Sequence, residues 1–360
     1  MVEQSVTRWA ILGTGVVSRK FVQGLHVLGQ AARVVTVASR DPRKAVGFAK
    51  EFGIQHPALD YAAAVTRPDV DAVYIATPPS AHEAHALLAI AAGKAVLIEK
   101  PFALDAAAAR RIAEAAEAAG VFCMEAMWTR FLPLFGALRH SLAAGDLGEL
   151  RSFHGSFLGS DVPDGQTSLF DPLRGGGALM HRGIYPLSLA RHLLGPIDDV
   201  AATARIGATG VDEDCTLVLR HLSGAISTIS ASLRAFGTND MTICGTRGML
   251  HVYPPIFRPW QARLSLGAPR TAQSSRGGRL QALRESGMAQ RLNQALPMAL
   301  RHMLGRAKTI RKPYAGNGYQ YEAAEVAQCL ARGETTSLLM PVSESIEIMA
   351  VIDRARAQFG

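Results

Sequence analysis

The 360-residue sequence predicts an α/β fold: an N-terminal Rossmann-type doubly wound parallel sheet, then an α+β domain with a large, mostly antiparallel open sheet. Three observations carry this. Short apolar runs alternate with helical patterns from Thr7 to Glu125, as βαβ units require. A Gly13-Thr14-Gly15 turn follows the first run and opens a helical pattern, the arrangement of a dinucleotide-binding crossover. Beyond Glu149 come runs rich in Val, Ile, Thr and Ser, separated by turns such as Leu222-Ser223-Gly224 and Gly245-Thr246-Arg247-Gly248, which read as antiparallel strands.

Taken in order, the first part predicts strands over 8–12, 33–38, 72–76, 95–99 and 121–125. Between them the apolar spacing predicts helices over 16–28, 42–52, 80–92 and 105–119, with caps at Ser80 and Asp105. The second part predicts strands over 150–158, 200–206, 214–220, 225–233, 241–244 and 249–253, and helices over 177–194, 319–331 and 343–357. The boundaries that follow are 1–127 for a nucleotide-binding domain, 128–342 for a substrate and dimerisation domain, and 343–360 for a C-terminal helix.

Bulk properties narrow the function classes. The length suits about two domains, and 48% hydrophobic residues allow a large core. Cys123, Cys215, Cys244 and Cys329 lie far apart in sequence, which argues against a zinc site or a disulfide framework and for a reducing, cytoplasmic setting. No metal is expected. The residues from Met1 to Ser5 lack a signal-peptide pattern, and no apolar run reaches the roughly 20 residues of a membrane span. The net charge is +8, yet 270–312, where ten Lys or Arg face one acid, Glu285, carries +9 and the remaining chain −1. The high pI is thus local, so nucleic acid is not an expected partner. Three readings are open for this segment: a structural insertion or lid, a contact for a membrane surface or acidic partner, and a clamp for a phosphorylated substrate.

Chemistry concentrates at the strand ends. The backbone N–H groups at Val16 and Val17, which follow Gly13, Thr14 and Gly15 into the helix, would face a pyrophosphate. After the second strand stands Ser39-Arg40 where an NAD-selective domain places an acid; serine and arginine can donate to a 2′-phosphate, which favours NADP(H) over NAD(H). Arg40 as a solvated loop residue beside Asp41 is the bland alternative. Thr77, Pro78 and Pro79 form a stiff wall after the third core strand; His82 either lines the site or sits on the surface of a first helical turn. Lys100 leaves the carboxyl end of a buried strand, where open α/β sheets hold their ligands.

The Gly13-Thr14-Gly15, Thr77-Pro78-Pro79-Ser80-Ala81-His82, Glu99-Lys100-Pro101 and Gly175-Gly176-Gly177 elements resemble those of the glucose-fructose oxidoreductase / inositol dehydrogenase (Gfo/Idh/MocA) family. Met124-Glu125-Ala126-Met127-Trp128-Thr129-Arg130-Phe131 and Gly316-Asn317-Gly318-Tyr319-Gln320-Tyr321-Glu322-Ala323 are similar to its dimeric dihydrodiol dehydrogenase and NADP-dependent pentose dehydrogenase branch. The resemblance implies hydride transfer between NADP(H) and a hydroxyl or carbonyl carbon of a sugar, polyol or cyclic diol. It also implies a homodimer or dimer of dimers formed through the C-terminal sheet. Glu99 and Lys100 match cofactor-lining positions, as do Trp128 and Arg130, for which interdomain packing is the other reading.

The resemblance further implies an acid/base group on the helix after the glycine run. Tyr185 matches that position, with Lys100 expected to stabilise its phenolate and lower its pKa. His181, one turn earlier, stands where the family usually has aspartate and, with Arg182, is expected to bind substrate. His181 can signal an acidic or keto substrate, replace the aspartate as a partner of Lys100, or mark a non-catalytic NADP-binding regulatory or scaffold protein. Pro186 is expected to kink the helix or to hold Tyr185 near its first turn.

Overall fold

The structure is a computed structural model that describes residues 6–163, 167–267, 286 and 307–360. Its N-terminal part holds six strands: β1 (Thr7–Leu12), β2 (Ala32–Ala38), β3 (His56–Pro57), β4 (Ala72–Ile75), β5 (Ala95–Glu99) and β6 (Cys123–Ala126). They pair in parallel in the order β3-β2-β1-β4-β5-β6. Every residue of β4 and β5 is buried, because helices cover both faces of a doubly wound sheet. These helices are α1 (Val16–Leu25), α2 (Pro42–Phe52), α3 (Tyr61–Val65), α4 (His82–Ala91) and α5 (Ala106–Ala119). Strand order reverses at β1 and β4, which opens the ligand crevice at their carboxyl ends.

Local chemistry sets the helix ends. Asp105 caps α5 by accepting the Ala108 N–H at 2.7 Å, as its sequence position predicts. Ser80 does not cap: it lies exposed in a 3₁₀ turn, Pro79–Ala81, and α4 starts afterwards at His82 without a side-chain cap. The first helix stops at Leu25, short of 28, because the chain turns into a 3₁₀ stretch containing Gly29 at φ 58°.

The second sheet has eight strands: β7 (Leu150–Leu158), β8 (Ile197–Ile206), β9 (Asp212–His221), β10 (Ile226–Ser232), β11 (Met241–Gly245), β12 (Gly248–Val252), β13 (Gln261–Leu266) and β14 (Ala307–Arg311). Their order is β14-β13-β12-β11-β7-β10-β9-β8, antiparallel except for β7 with β10. Side chains along β9 alternate between buried and exposed, so one face is covered and the other open. Among the described residues, four helices accompany this sheet: α6 (Pro133–Ala143), α7 (Ile184–Leu194), α8 (Gln320–Ala331) and α9 (Val342–Arg356). α9 bridges the two sheets: Asp353 accepts the Ala106 N–H at the start of α5 at 2.8 Å, and Glu347 accepts from Arg191 of α7 at 2.7 Å.

The basic segment is not one insertion. Residues 307–311 form the edge strand β14 against β13, so its last part completes the sheet. Residues 268–285 and 287–306, including the Met/Leu-rich run from Met288 to Met303, lie outside the described residues.

Candidate active site

A cleft of about 500 Å³ opens at the carboxyl ends of β1, β2, β4 and β5. Gly13, Thr14, Gly15, Val16, Val17, Ser39, Arg40, Thr77, Pro78, Pro79, His82, Glu99, Lys100 and His181, all singled out from sequence, line it. Gly13 has a φ of +108°, and a Cβ there would lie 2.5 Å from the Ala76 carbonyl oxygen, so only glycine lets the first turn lie against the β4 loop. A Cβ on Gly15 would meet nothing within 4 Å. The start of α1 has neither a side-chain cap nor an acid in its first turn; its positive dipole end thus faces the cleft with N–H groups to give, which fits a dinucleotide pyrophosphate.

At the β2 end, Ser39 and Arg40 are joined by Lys44, which sequence reading missed although it stands one helical turn after Arg40. Asp41 is the acid nearest this end, but it accepts the Arg43 N–H as cap of α2 at 3.0 Å and pairs with the Arg43 side chain at 3.2 Å. Those bonds hold its carboxyl below the ordinary range. Tyr61, Ala76, Ser168, Leu169 and Arg174 also line the cleft, and sequence reading did not single them out as site residues.

His82 is not a surface residue. It is 1% exposed, and its ring lies between the Thr77 and Pro101 carbonyl oxygens at 2.8 and 2.9 Å. Burial brings its pKa down to about 4 against those two acceptors. The ring thereby joins the Pro78-Pro79 wall to the loop that follows Lys100.

The Lys100 Nζ donates to the His181 backbone carbonyl at 3.0 Å and stands over the Tyr185 ring, 4.9 Å from its centroid. Burial lowers the lysine's pKa, opposed by the carboxylates of Glu99 and Glu125. The expectation for Tyr185 is overturned here. The ammonium meets the ring face, and burial followed by the charge of Glu99 pushes the hydroxyl well above its ordinary pKa. The phenol therefore stays protonated; it accepts the Trp128 indole N–H at 3.4 Å among Phe157 and Phe257.

The two residues one turn apart do not share the cleft wall, because Leu179–Gly183 winds as a π-helical turn before α7. Pro186, in the first turn of α7, has no N–H to continue a regular α-helix backwards. His181 lines the cleft, and its Nε2 is buried without a hydrogen-bond partner among the described residues. Burial, then Lys100 and Arg182, hold the imidazole neutral with a pKa of about 3, while the Gly175 carbonyl accepts from the ring. An unshared nitrogen lone pair is what this leaves, buried in the cleft wall.

Three expected site residues are placed elsewhere. Arg182 pairs with Asp161 and donates to the carbonyls of Gly159, at 2.7 Å, and Ser232, which spends its donors on the sheet. Arg130 is completely buried, bonded to Glu344 at 2.6 Å and to the Ser188 hydroxyl at 2.8 Å. Trp128 stacks on Tyr319 at 4.8 Å. For Trp128 and Arg130 the packing reading holds, and neither is among the lining residues.

Family models match both parts of the chain: the oxidoreductase family with an NAD-binding Rossmann fold over residues 7–127, and the Gfo/Idh/MocA C-terminal domain over residues 135–251. The chain belongs to the Gfo/Idh/MocA family of oxidoreductases. Among relatives of that family, trans-1,2-dihydrobenzene-1,2-diol dehydrogenase of Bos taurus is 31% identical over 356 residues, covering 98% of this chain and 97% of its own. Several solved structures share the fold. A 3-ketoreductase from Actinomadura kijaniata in complex with NADP and TDP-benzene has a TM-score of 0.79 at 24% identity, covering 99% and 98% of the two chains. Levoglucosan dehydrogenase in complex with NADH and levoglucosan has a TM-score of 0.81 at 19% identity, covering 98% and 97%. This Gfo/Idh/MocA chain is accordingly an NAD(P)-dependent oxidoreductase. No described helix is long and apolar enough to cross a membrane.

Proposed function

We propose that this protein is an NADP(H)-dependent dehydrogenase or reductase of a sugar, polyol or cyclic diol, in which Lys100 holds the reacting oxygen and Tyr185 exchanges its proton. The observation that carries this is the placement of Lys100, at the end of β5, on the wall of the same cleft as the Gly13–Gly15 turn. When bound, the nicotinamide gives or takes the hydride. The protein's part is to polarise the oxygen, move its proton and hold the ring at the right depth.

A buried ammonium next to a carbonyl oxygen strengthens as an electrophile when water is excluded. Tyr185, held as a neutral phenol, is suited to donate a proton to the alkoxide that forms as a carbonyl is reduced; oxidation runs the same path backwards. The neutral His181 supplies an acceptor at Nε2, which favours a neighbouring substrate hydroxyl over a carboxylate or keto oxygen. This supports the diol or sugar reading, in line with the diol and the sugar derivative that the relatives' names carry.

NADP(H) is the preferred cofactor in this reading, because Ser39, Arg40 and Lys44 gather at one end of the cleft while Asp41 is engaged by Arg43. The open face of the second sheet exposes Val218, Ile226 and Met249, an apolar surface suited to a homodimer or dimer of dimers.

The test is a screen of sugars, polyols, cyclic diols and their keto forms for NADP(H)-linked absorbance change, with Lys100→Met and Tyr185→Phe alongside. Each variant is expected to lose about 10²- to 10⁴-fold in kcat. Full turnover in both variants overturns the assignment.

A further inference from the structure

Tyr185 is held by unlike neighbours. The Lys100 ammonium stands over its ring, 4.9 Å from the centroid, and the Phe157 ring of β7 meets it at 5.5 Å and 65°. Phe157 in turn stacks on Phe257 at 5.0 Å and 21°, and the Arg182 guanidinium lies over it, 5.5 Å from its centroid. Arg182, Phe157, Tyr185 and Lys100 thus form one chain of contacts with a cation at each end.

This chain is anchored at Arg182, which is not among the residues that line the cleft. Its side chain is largely buried; it pairs with Asp161, donates to the Ser232 carbonyl and donates at 2.7 Å to the Gly159 carbonyl. Those partners stand where the chain beyond β7 still runs beside β10: the Gly159 N–H donates to Ser232 at 3.1 Å and the Asp161 N–H to Leu233 at 2.7 Å. A Cβ on Gly159 would lie 2.6 Å from the guanidinium Nη1, so a glycine is what allows this approach. A planar guanidinium can bond carbonyls and a carboxylate through its edge and still offer its face to a ring, which an ammonium cannot. Arg182 also belongs to the π-helical turn that leads into Tyr185, three residues on. One side chain therefore ties the turn that leads into Tyr185 to the strand whose ring packs against it.

We propose that Arg182 is a positioning residue for Tyr185: by clamping the ends of β7 and β10 it holds the Phe157 ring against the phenol and so keeps Tyr185 under the Lys100 ammonium. It touches no reactant. The consequence for turnover rests on the role given to Tyr185 above, but the first test needs no turnover.

That test is fluorine NMR of the full-length protein carrying 3-fluorotyrosine at its seven tyrosines, with Tyr185→Phe identifying the Tyr185 signal by its loss. Arg182→Met and Phe157→Leu should each shift this signal more than those of Tyr61 and Tyr74, which lie in the first domain and report an intact fold. In the Phe157→Leu background, Arg182→Met should add less than about half of the shift it causes alone, because residues that act through one contact do not add. An unmoved Tyr185 signal in Arg182→Met, or full additivity, overturns the proposal. Should Arg182→Met not fold, as judged by thermal melting, Asp161→Asn removes the ion pair alone and should move the signal the same way as Phe157→Leu; no movement there overturns the proposal instead. On a substrate found by the screen above, Arg182→Met should lower kcat by about 10- to 100-fold with KM and NADPH affinity unchanged. An unchanged kcat while Tyr185→Phe is inactive overturns the proposal, whereas full turnover in Tyr185→Phe sinks the role given to Tyr185 and leaves the spectra to decide the clamp.

Discussion

Around Arg40 the cofactor choice becomes a question of which charges face a ribose. With Asp41 tied to Arg43, the free donors on that wall are Ser39, Arg40 and Lys44, and a 2′-phosphate would gain charge-assisted bonds that a 2′-hydroxyl cannot. The double change Arg40→Ala with Lys44→Ala is therefore expected to weaken NADPH binding by about 10- to 100-fold and NADH binding by less than about threefold. Fluorescence titration measures both; an equal loss for the two cofactors would sink the preference. Residues such as Lys100, Gly13 and Ser39 were legible in the sequence because the end of a parallel strand fixes where the next side chain goes. Arg182, Arg130 and Trp128 were not, since their places are decided by Asp161, Glu344 and Tyr319, partners that no local pattern reveals.

Among the elements, the start of α7 bears most directly on the site. Its π-helical turn puts His181 on the cleft and Tyr185 behind Lys100, and that turn is held by Asp212 at the beginning of β9. Asp212 accepts the Leu179 N–H at 2.7 Å and lies against Gly177, whose φ of +119° leaves no room for a Cβ. Burial raises the Asp212 pKa to about 6, so the charge adds little and the acceptor oxygen matters. Asp212→Asn should keep stability within about 1 kcal/mol, while Asp212→Ala, which strands a buried N–H, should cost about 1–3 kcal/mol. Denaturant melts of the two variants separate these cases; equal losses would mean that the charge itself holds the turn. The alternating apolar runs made β1, β4 and β5 readable, but the π turn was hidden because sequence spacing assumes a regular 3.6-residue period. α6 was missed for a related reason: it begins on Pro133 and contains Gly136, both of which read as loop punctuation. β14 was hidden within a charged segment, where an edge strand needs few apolar residues.

Across the whole molecule, the second sheet is joined to the first by a buried polar seam, and that seam has a pH dependence of definite sign. Arg130, from the turn after β6, meets His192 of α7 at 3.5 Å and Glu344 of α9 at 2.6 Å, while Arg139 of α6 meets the other His192 nitrogen at 3.3 Å. Burial, then Arg130, Arg139 and Arg191, depress the His192 pKa to about 3. His181 is depressed to about 3 and His82 to about 4, burial being the leading cause in both. The unfolded chain binds these protons near pH 6.5, whereas the folded chain resists them. The stability these neutral rings contribute is therefore complete above about pH 6.5 and is lost as pH falls from there towards the folded values, by at most about 2 kcal/mol per histidine at pH 5. Buried carboxyls raised above their ordinary range, Glu99 to about 7 and Asp212 to about 6, oppose this loss over the same range, so the histidine contribution is read as a difference between variant and wild type. His192→Gln, which keeps a polar side chain but cannot take up the proton, should remove at most about 2 kcal/mol of the wild type's acid sensitivity between about pH 7 and about pH 5. Thermal melts of wild type and variant across this range measure the slope. A variant whose melting temperature changes with pH just as the wild type's does would show that the arginines around His192 do not keep it neutral in the folded protein.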